Sequence, residues 1–192
     1  SLGSKIKDKQ KEVQKIKKEV YMPNSSRQEI EESFENVDTQ KNKFLTFKLG
    51  KEFYAIEIMN VTEIIGLEKI TEVPDTSKYV MGIINLRGQI IPVIDVRLRF
   101  GLESKDYTDR TCIIVVKLDD MDTGLIVDEV SEVLDIPENQ IDNPPNRGNK
   151  KNRFIKGMGK VNKSVKMILN LDKLLNDDEK DEVKAVAEEE ED

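Results

Sequence analysis

From Lys43 onward the chain is a succession of short runs of β-branched and aromatic residues, each broken by turn-forming residues, which leaves no room for long helices. Phe44 to Leu49 is followed by Gly50-Lys51 and a returning run, Phe53 to Ile58. Val61 to Val73 continues with apolar residues and closes at Pro74-Asp75. Ile83 to Leu86 runs into the tight turn Arg87-Gly88, and Gln89 to Val96 returns, bent or at an edge because Pro92 has no N–H to donate. Thr111 to Leu118 is the most apolar run; Asp119 to Asp122 turns it into Thr123 to Asp128. Val133 to Ile136 ends at Pro137, and Val165 to Leu171 is the last strand before a short helix begins at Asp172. About ten short strands between residues 43 and 176, with few helices, predict an all-β fold built as a sandwich or as barrels.

The runs also repeat. Phe44 to Leu49 aligns with Ile113 to Leu118, and Asn60 to Ile65 aligns with Glu129 to Leu134, both at an offset of 69 residues. Val93 to Val96 aligns with Ile168 to Leu171 at an offset of 75. The same elements recur in the same order, as a duplication requires. The expectation is therefore two intertwined five-stranded barrels, roughly 43–110 and 111–176, each too small to be very stable alone and packed against the other. The seam between them is the natural binding groove.

The flanks differ in character. Residues 1–42 form a charged extension, partly helical or disordered. Seven lysines fall between residues 5 and 20, with Ile6, Val13, Ile16 and Val20 near heptad spacing. An isolated helix of that length is marginal, so a frayed, solvated helix is expected, with a weak membrane-surface or partner helix as the alternative. Ser26 to Glu29 fits a capping box for a second short helix. Residues 177–192 hold ten acidic side chains and two lysines, which accounts for the net charge of −7 and reads as a disordered, solubilising tail.

Composition excludes several classes of function. The chain has no histidine and one cysteine, so it cannot build a Ser-His-Asp triad, a Cys-His pair, a His-ligated metal site or an internal disulfide. No catalytic residues, metal or cofactor are expected, and a reducing cytosol suits the single cysteine. No run approaches the roughly 18 apolar residues that span a bilayer. Asp119 to Asp122 tempts a calcium reading, or a metal-assisted enzyme, but lacks the remaining ligands and the closing Glu, and a hairpin turn explains it better. Between Arg147 and Lys166 stand eight basic residues and no acidic one, the basis of an alternative reading as a nucleic-acid-binding β-barrel protein. Only Phe154 is there to stack on bases, and the near-neutral body argues against it.

Several segments together resemble the CheW family of bacterial chemotaxis coupling proteins. They are Phe44 to Phe47, Tyr54 to Ile58 with Val61 to Ile64, Gly82 to Gly88, Ile91 to Arg97, Gly124 to Val130 with Val133-Leu134, and Ile168 to Leu175. The resemblance covers about residues 43–176, and Asn85-Leu86-Arg87-Gly88 followed by Ile91-Pro92-Val93-Ile94-Asp95 is its most specific part. It implies two SH3-like barrels with a hydrophobic groove between them. It also implies a non-catalytic adaptor that joins the cytoplasmic tips of chemoreceptors (methyl-accepting chemotaxis proteins) to the regulatory domain of the histidine kinase CheA. Such a protein would be cytoplasmic and recruited to membrane-associated receptor arrays, without nucleic acid and without inserting into the membrane.

On that resemblance the expected receptor-binding residues are Val61, Glu63, Ile64, Asn85, Arg87, Val130 and Val133. Arg87 is expected to hold a guanidinium at the groove rim, paired with Glu63. Val61 is expected to be accessible and Ile64 less so. Val130 and Val133, their equivalents in the repeat, would line the opposite wall. No residue is assigned to the kinase.

Overall fold

In a computed structural model that describes residues 2–18, 40–144 and 150–189, eleven strands form two sheets. The first half of the chain supplies β1 (Lys43–Leu49), β2 (Glu52–Glu57), β3 (Val61–Gly66), β4 (Val80–Leu86) and β5 (Gln89–Asp95). The second half supplies β6 (Cys112–Leu118), β7 (Met121–Val127), β8 (Glu129–Asp135), β9 (Ile141–Asp142), β10 (Ile155–Val161) and β11 (Ser164–Leu169). Helices α1 (Leu2–Lys18), α2 (Val96–Arg99) and α3 (Asp177–Glu189), with four short 3-10 helices, complete the described elements. The all-β architecture of two packed units is the one expected, with six strands in one sheet and five in the other.

Neither sheet coincides with half of the chain. The six-stranded sheet runs β8-β1-β2-β11-β10-β9 and the five-stranded sheet β3-β6-β7-β5-β4. The leading hairpin of each half, β1–β2 or β6–β7, is thus built into the sheet of the other half. The barrels are intertwined, and the expected boundary near residue 110 does not divide them, since each takes strands from both sides of it. The exchange follows the repeat: β1 pairs with β8 as β6 pairs with β3, and β2 lies parallel to β11 as β7 lies parallel to β5. Parallel neighbours cannot be joined by a tight turn, so these two contacts can only come from distant segments.

Alternation along the exchanged strands sorts the apolar residues into separate cores. In β6, Ile113 and Val115 face the interior of the five-stranded unit, with Ile84, Ile91, Val93 and Ile126. Ile114, Val116 and Leu118 face a larger core between the two sheets, shared with Leu45, Phe47, Leu49 and Ile56 of the other hairpin. Phe44, Ala55, Ile136 and Ile168 fill the six-stranded unit. Burial on both faces explains why β6 reads as an unbroken apolar run. Gly82 is fixed by sterics: its φ is +135°, and a Cβ there would stand 2.0 Å from the carbonyl oxygen of Thr71. That oxygen accepts from the Ile83 N–H at 2.9 Å, which ties the long β3–β4 connection to β4.

Polar contacts lock the hairpin ends. Asp128 accepts from the Arg97 guanidinium and from the Gly50 N–H, each at 2.7 Å, so the β1–β2 turn is clamped to α2 of the opposite unit. Asp95 caps α2 through the Arg97 and Leu98 amides and accepts from the Tyr107 hydroxyl at 3.0 Å. Burial first, then the nearby Asp95 carboxylate, raises the Tyr107 phenol well above its ordinary pKa.

Both expectations for the flanks need correction. Residues 177–189 of the supposed disordered tail are helix α3, docked through buried Val183 and Val186. Its acids bind this chain: Glu179 accepts from Arg99 at 2.8 Å, and Glu182 accepts from the Ser77 hydroxyl at 2.9 Å. Lys180 pairs with Asp119 at 3.0 Å. Arg99 also donates to the Leu174 carbonyl and lies over the rings of Tyr79 and Phe154, a bidentate and stacked use of arginine that lysine could not copy. At the other end α1 is docked, with Val13 fully buried in the inter-sheet core. The capping-box segment at Ser26 and the residues 190–192 lie outside the described residues.

Two outcomes follow from this packing. Ile114→Asp places a charge in the inter-sheet core, and its cost should approach the whole stability of a domain of this size, about 5–15 kcal/mol. A cooperative denaturant transition near the unmodified midpoint would refute that placement. The second concerns acid. Burial works to raise the Glu179 pKa, but the Asn176 N–H, Tyr79 and Arg99 together hold it below its ordinary value of 4.5. The stabilisation is therefore complete above pH 4.5 and is lost as the pH falls through the lower folded value. Protection of the α3 amides, taken relative to the intrinsic exchange rate at each pH, should fall on acidification, and Glu179→Gln should remove much of that pH dependence.

Candidate functional site

The turn between β4 and β5 contains two residues, Arg87 and Gly88, both with positive φ (+53° and +85°). This is the mirror-image turn that suits the twist of a hairpin, and its first position favours Asn or Gly. Arginine there costs about 1–2 kcal/mol of backbone strain. The turn is held by Asn85, whose side-chain oxygen accepts from the Gly88 N–H at 2.9 Å. A strained residue held in place by its neighbours marks a position where the side chain itself is wanted.

The Arg87 side chain reaches back to β3 and donates to Glu63. Hydrogen bonding and the charge of Glu63 raise the Arg87 pKa still further, so the guanidinium stays charged at any working pH. The arginine side chain is 71% exposed and that of Glu63 only 13%. The carboxylate is anchored in the wall, and the guanidinium lies over it with free donor positions toward solvent.

Beside Glu63 the structure departs from the expectation for Val61, which is fully buried rather than accessible. The cause is a β-bulge. Val61 pairs with Val116 but Glu63 pairs with Val115, so β3 carries an extra residue. The bulge brings Val61 and Ile64, three apart, to the same face, where both join the inter-sheet core. The repeat reproduces this in β8: Leu45 pairs with Val133 and Phe47 with Val130, so Val130 and Val133 also share a face. The Thr46 hydroxyl satisfies the second bulge, donating to the Glu132 carbonyl at 2.7 Å and accepting from its N–H at 3.1 Å. Val130 and Val133 are half-buried against the same core.

The expected site residues therefore fall into two groups. Asn85, Arg87 and Glu63 form a polar rim, and Val61, Ile64, Val130 and Val133 form the apolar margin beside it. The margin is not an open groove, because the inter-sheet core fills it and α1 lies across it. β3 and β8 are edge strands of their sheets, and α1 packs on both. Gln10 accepts from the Ile64 N–H, and Gln14 donates to the Thr62 carbonyl at 3.2 Å, so two glutamines satisfy the free edge of β3. Between α1 and the two strands remains a cavity of about 420 Å³. Sequence reasoning missed this cover; its signals were Ile6 and Val13 at heptad spacing and the pair of glutamines one helical turn apart, beside Val13.

The basic stretch does not form a nucleic-acid surface among the described residues. Lys156 pairs with Glu57 at 2.8 Å and Lys160 with Asp142 at 2.5 Å. Lys166 is buried over the Phe53 ring, and burial lowers its pKa. Phe154 is buried and stacked on Phe100, where no base can reach it. Ile155–Val161 is strand β10, and Arg147 lies outside the described residues. The Asp119 to Asp122 segment is the β6–β7 turn, with its end carboxylates paired to Lys180 and Lys117.

A family profile described as CheW-like domain matches residues 43–179. The chain belongs to the CheW-like family. It is 36% identical over 136 residues to the chemotaxis protein CheW of Helicobacter pylori, an alignment covering 71% of this chain and 82% of that protein. It is 35% identical over 133 residues to the CheW of Thermotoga maritima, covering 69% and 87%. Among solved structures, the scaffolding protein TtCheW from Thermoanaerobacter tengcongensis superposes with a TM-score of 0.68 at 37% identity, covering 72% of this chain and 94% of that one. The polar rim and the apolar margin lie within the family span, whereas α1 lies outside it.

The turn geometry separates folding from binding. Arg87→Asn suits the positive φ and should leave the melting temperature within a few degrees of the unmodified protein. Thermal melts of Arg87→Asn and Arg87→Ala decide the point, since only the first relieves the backbone strain.

Proposed function

We propose that this chain is a non-catalytic chemotaxis adaptor that couples the cytoplasmic tips of chemoreceptors to the regulatory domain of the histidine kinase CheA. Family membership and relatives named chemotaxis protein CheW support the general role. The observation that carries the specific reading is Arg87, held in a strained turn by Asn85 and laid over the anchored carboxylate of Glu63.

A receptor tip is a helical hairpin with a narrow apolar stripe and polar flanks. Its stripe would be buried against the β3–β8 margin, where Val130 and Val133 offer the apolar surface, while Arg87 fixes the register from the rim. Val61 and Ile64, both buried, support that wall from behind. The kinase would use another face of the double barrel, as bridging two partners requires. The protein would work in the cytoplasm and be drawn to receptor arrays through these contacts. No helix among the described residues is long and apolar enough to cross a membrane.

The test is Arg87→Glu, which sets two carboxylates against each other at the rim. Affinity for a receptor cytoplasmic fragment should fall roughly thirtyfold, with kinase binding largely spared. Both affinities are measured on a variant whose circular dichroism spectrum is unchanged. Unaltered receptor affinity would remove Arg87 from the site, and equal losses toward both partners would overturn separate surfaces.

A further inference from the structure

The docked position of α1 has a regulatory consequence. Its 17 residues lie across the two edge strands whose apolar side chains form the margin. Val13 is fully buried in the same core as Val61, Ile64, Val130 and Val133, and Ile6 packs against that core. Gln10 and Gln14 occupy the backbone edge of β3 on either side of Glu63. The helix thus covers what an incoming helix would need, with the same kind of contact: an apolar side chain in the seam and polar side chains on the strand edge.

The cover is also incomplete. A cavity of about 420 Å³ persists beside α1, lined by Ile6, Ile64, Cys112 and Val130 and also by charged side chains of both signs, among them Lys9 and Glu129. Its apolar part is only partly filled and loses packing that a better-fitting helix would recover. An isolated helix of about 17 residues is marginal in water, so α1 owes its order to this docking. Within α1, the one ion pair with described geometry is Lys9–Glu12, at 3.6 Å.

We propose that α1 is an intramolecular plug: residues 2–18 occupy the helix-accepting seam between β3 and β8, and a receptor helix must displace them to bind. This rests on the receptor reading given above and adds regulation to it. Because α1 is part of the same chain, its docking lowers the apparent affinity for the receptor by the fraction of molecules in which it is undocked. A helix docked nine times in ten weakens binding about tenfold, and loosening it restores that factor.

The experiment uses the full chain and a soluble fragment containing a chemoreceptor cytoplasmic tip. Val13→Asp, and separately the pair Gln10→Ala with Gln14→Ala, should tighten binding of the fragment by about tenfold and at least threefold. In the unmodified chain, adding the fragment should speed hydrogen exchange of the α1 amides. Arg87→Glu serves as the reference arm. If it weakens binding while the α1 variants bind no more tightly, α1 is not a plug and the receptor site stands. If Arg87→Glu and the α1 variants are all without effect, the receptor site itself fails. Should Val13→Asp unfold the protein, exchange in the unmodified chain decides: α1 amides equally or better protected in the complex overturn the proposal.

Discussion

The reciprocal exchange of hairpins is the constraint on which the structure depends. With β1–β2 built into the second half's sheet and β6–β7 into the first half's, neither unit can close without the other. The inter-sheet core draws on both hairpins, so Leu45, Phe47 and Leu49 pack in one cluster with Ile114, Val116 and Leu118. The sheet contacts involved are far apart in sequence, a topology that folds slowly because loop closure precedes the contacts that reward it. The Arg97–Asp128 pair and the Gly50 amide then tie the β1–β2 turn and the end of β7 to α2.

The exchange also creates the site. It leaves β3 and β8 as the free edges of their sheets, and the repeat gives each a bulge at the corresponding place. Each bulge turns two valine or isoleucine side chains, three residues apart, toward the shared core and leaves a polar residue facing out. In β3 that polar residue is Glu63, and the tight turn at Arg87 reaches it from the far side of the sheet. An ion pair whose arginine is largely exposed contributes little to stability. Its structural effect is orientation: the guanidinium is presented in one place instead of being spread over many rotamers.

Both ends of the chain turn polar sequence into specific contacts. Glutamines of α1 satisfy a strand edge that would otherwise be open to pairing with another chain. In α3, acidic residues that compositional reasoning assigns to solvent are drawn to Arg99 and to Ser77. In each helix a buried valine, Val13 or Val183, anchors the segment. Charge-rich composition lowers the chance of order but does not forbid it where a few apolar residues fall on one face.

The strands, their turns and the duplication were legible in the sequence because strand formation and turn chemistry are local: β-branched runs, Gly50, Gly88 and the residues around Asp119 act over a few positions. Arg87 and Glu63 were legible as a pair through the family motif. Val61 was misjudged because its exposure depends on a bulge, which is a mismatch between two strands and has no signature in either alone. Intertwined barrels were expected from the duplication, but which hairpin joins which sheet was hidden for the same reason: β1 has equal local grounds to join either sheet, and only the parallel contacts with β11 and β5 decide. Docking of α1 and α3 rests on one or two buried valines each and on polar partners up to 105 residues away, as between Ser77 and Glu182. Sequence alone determined what the pieces are; which pieces meet was decided by burial of a core that none of them can enclose alone.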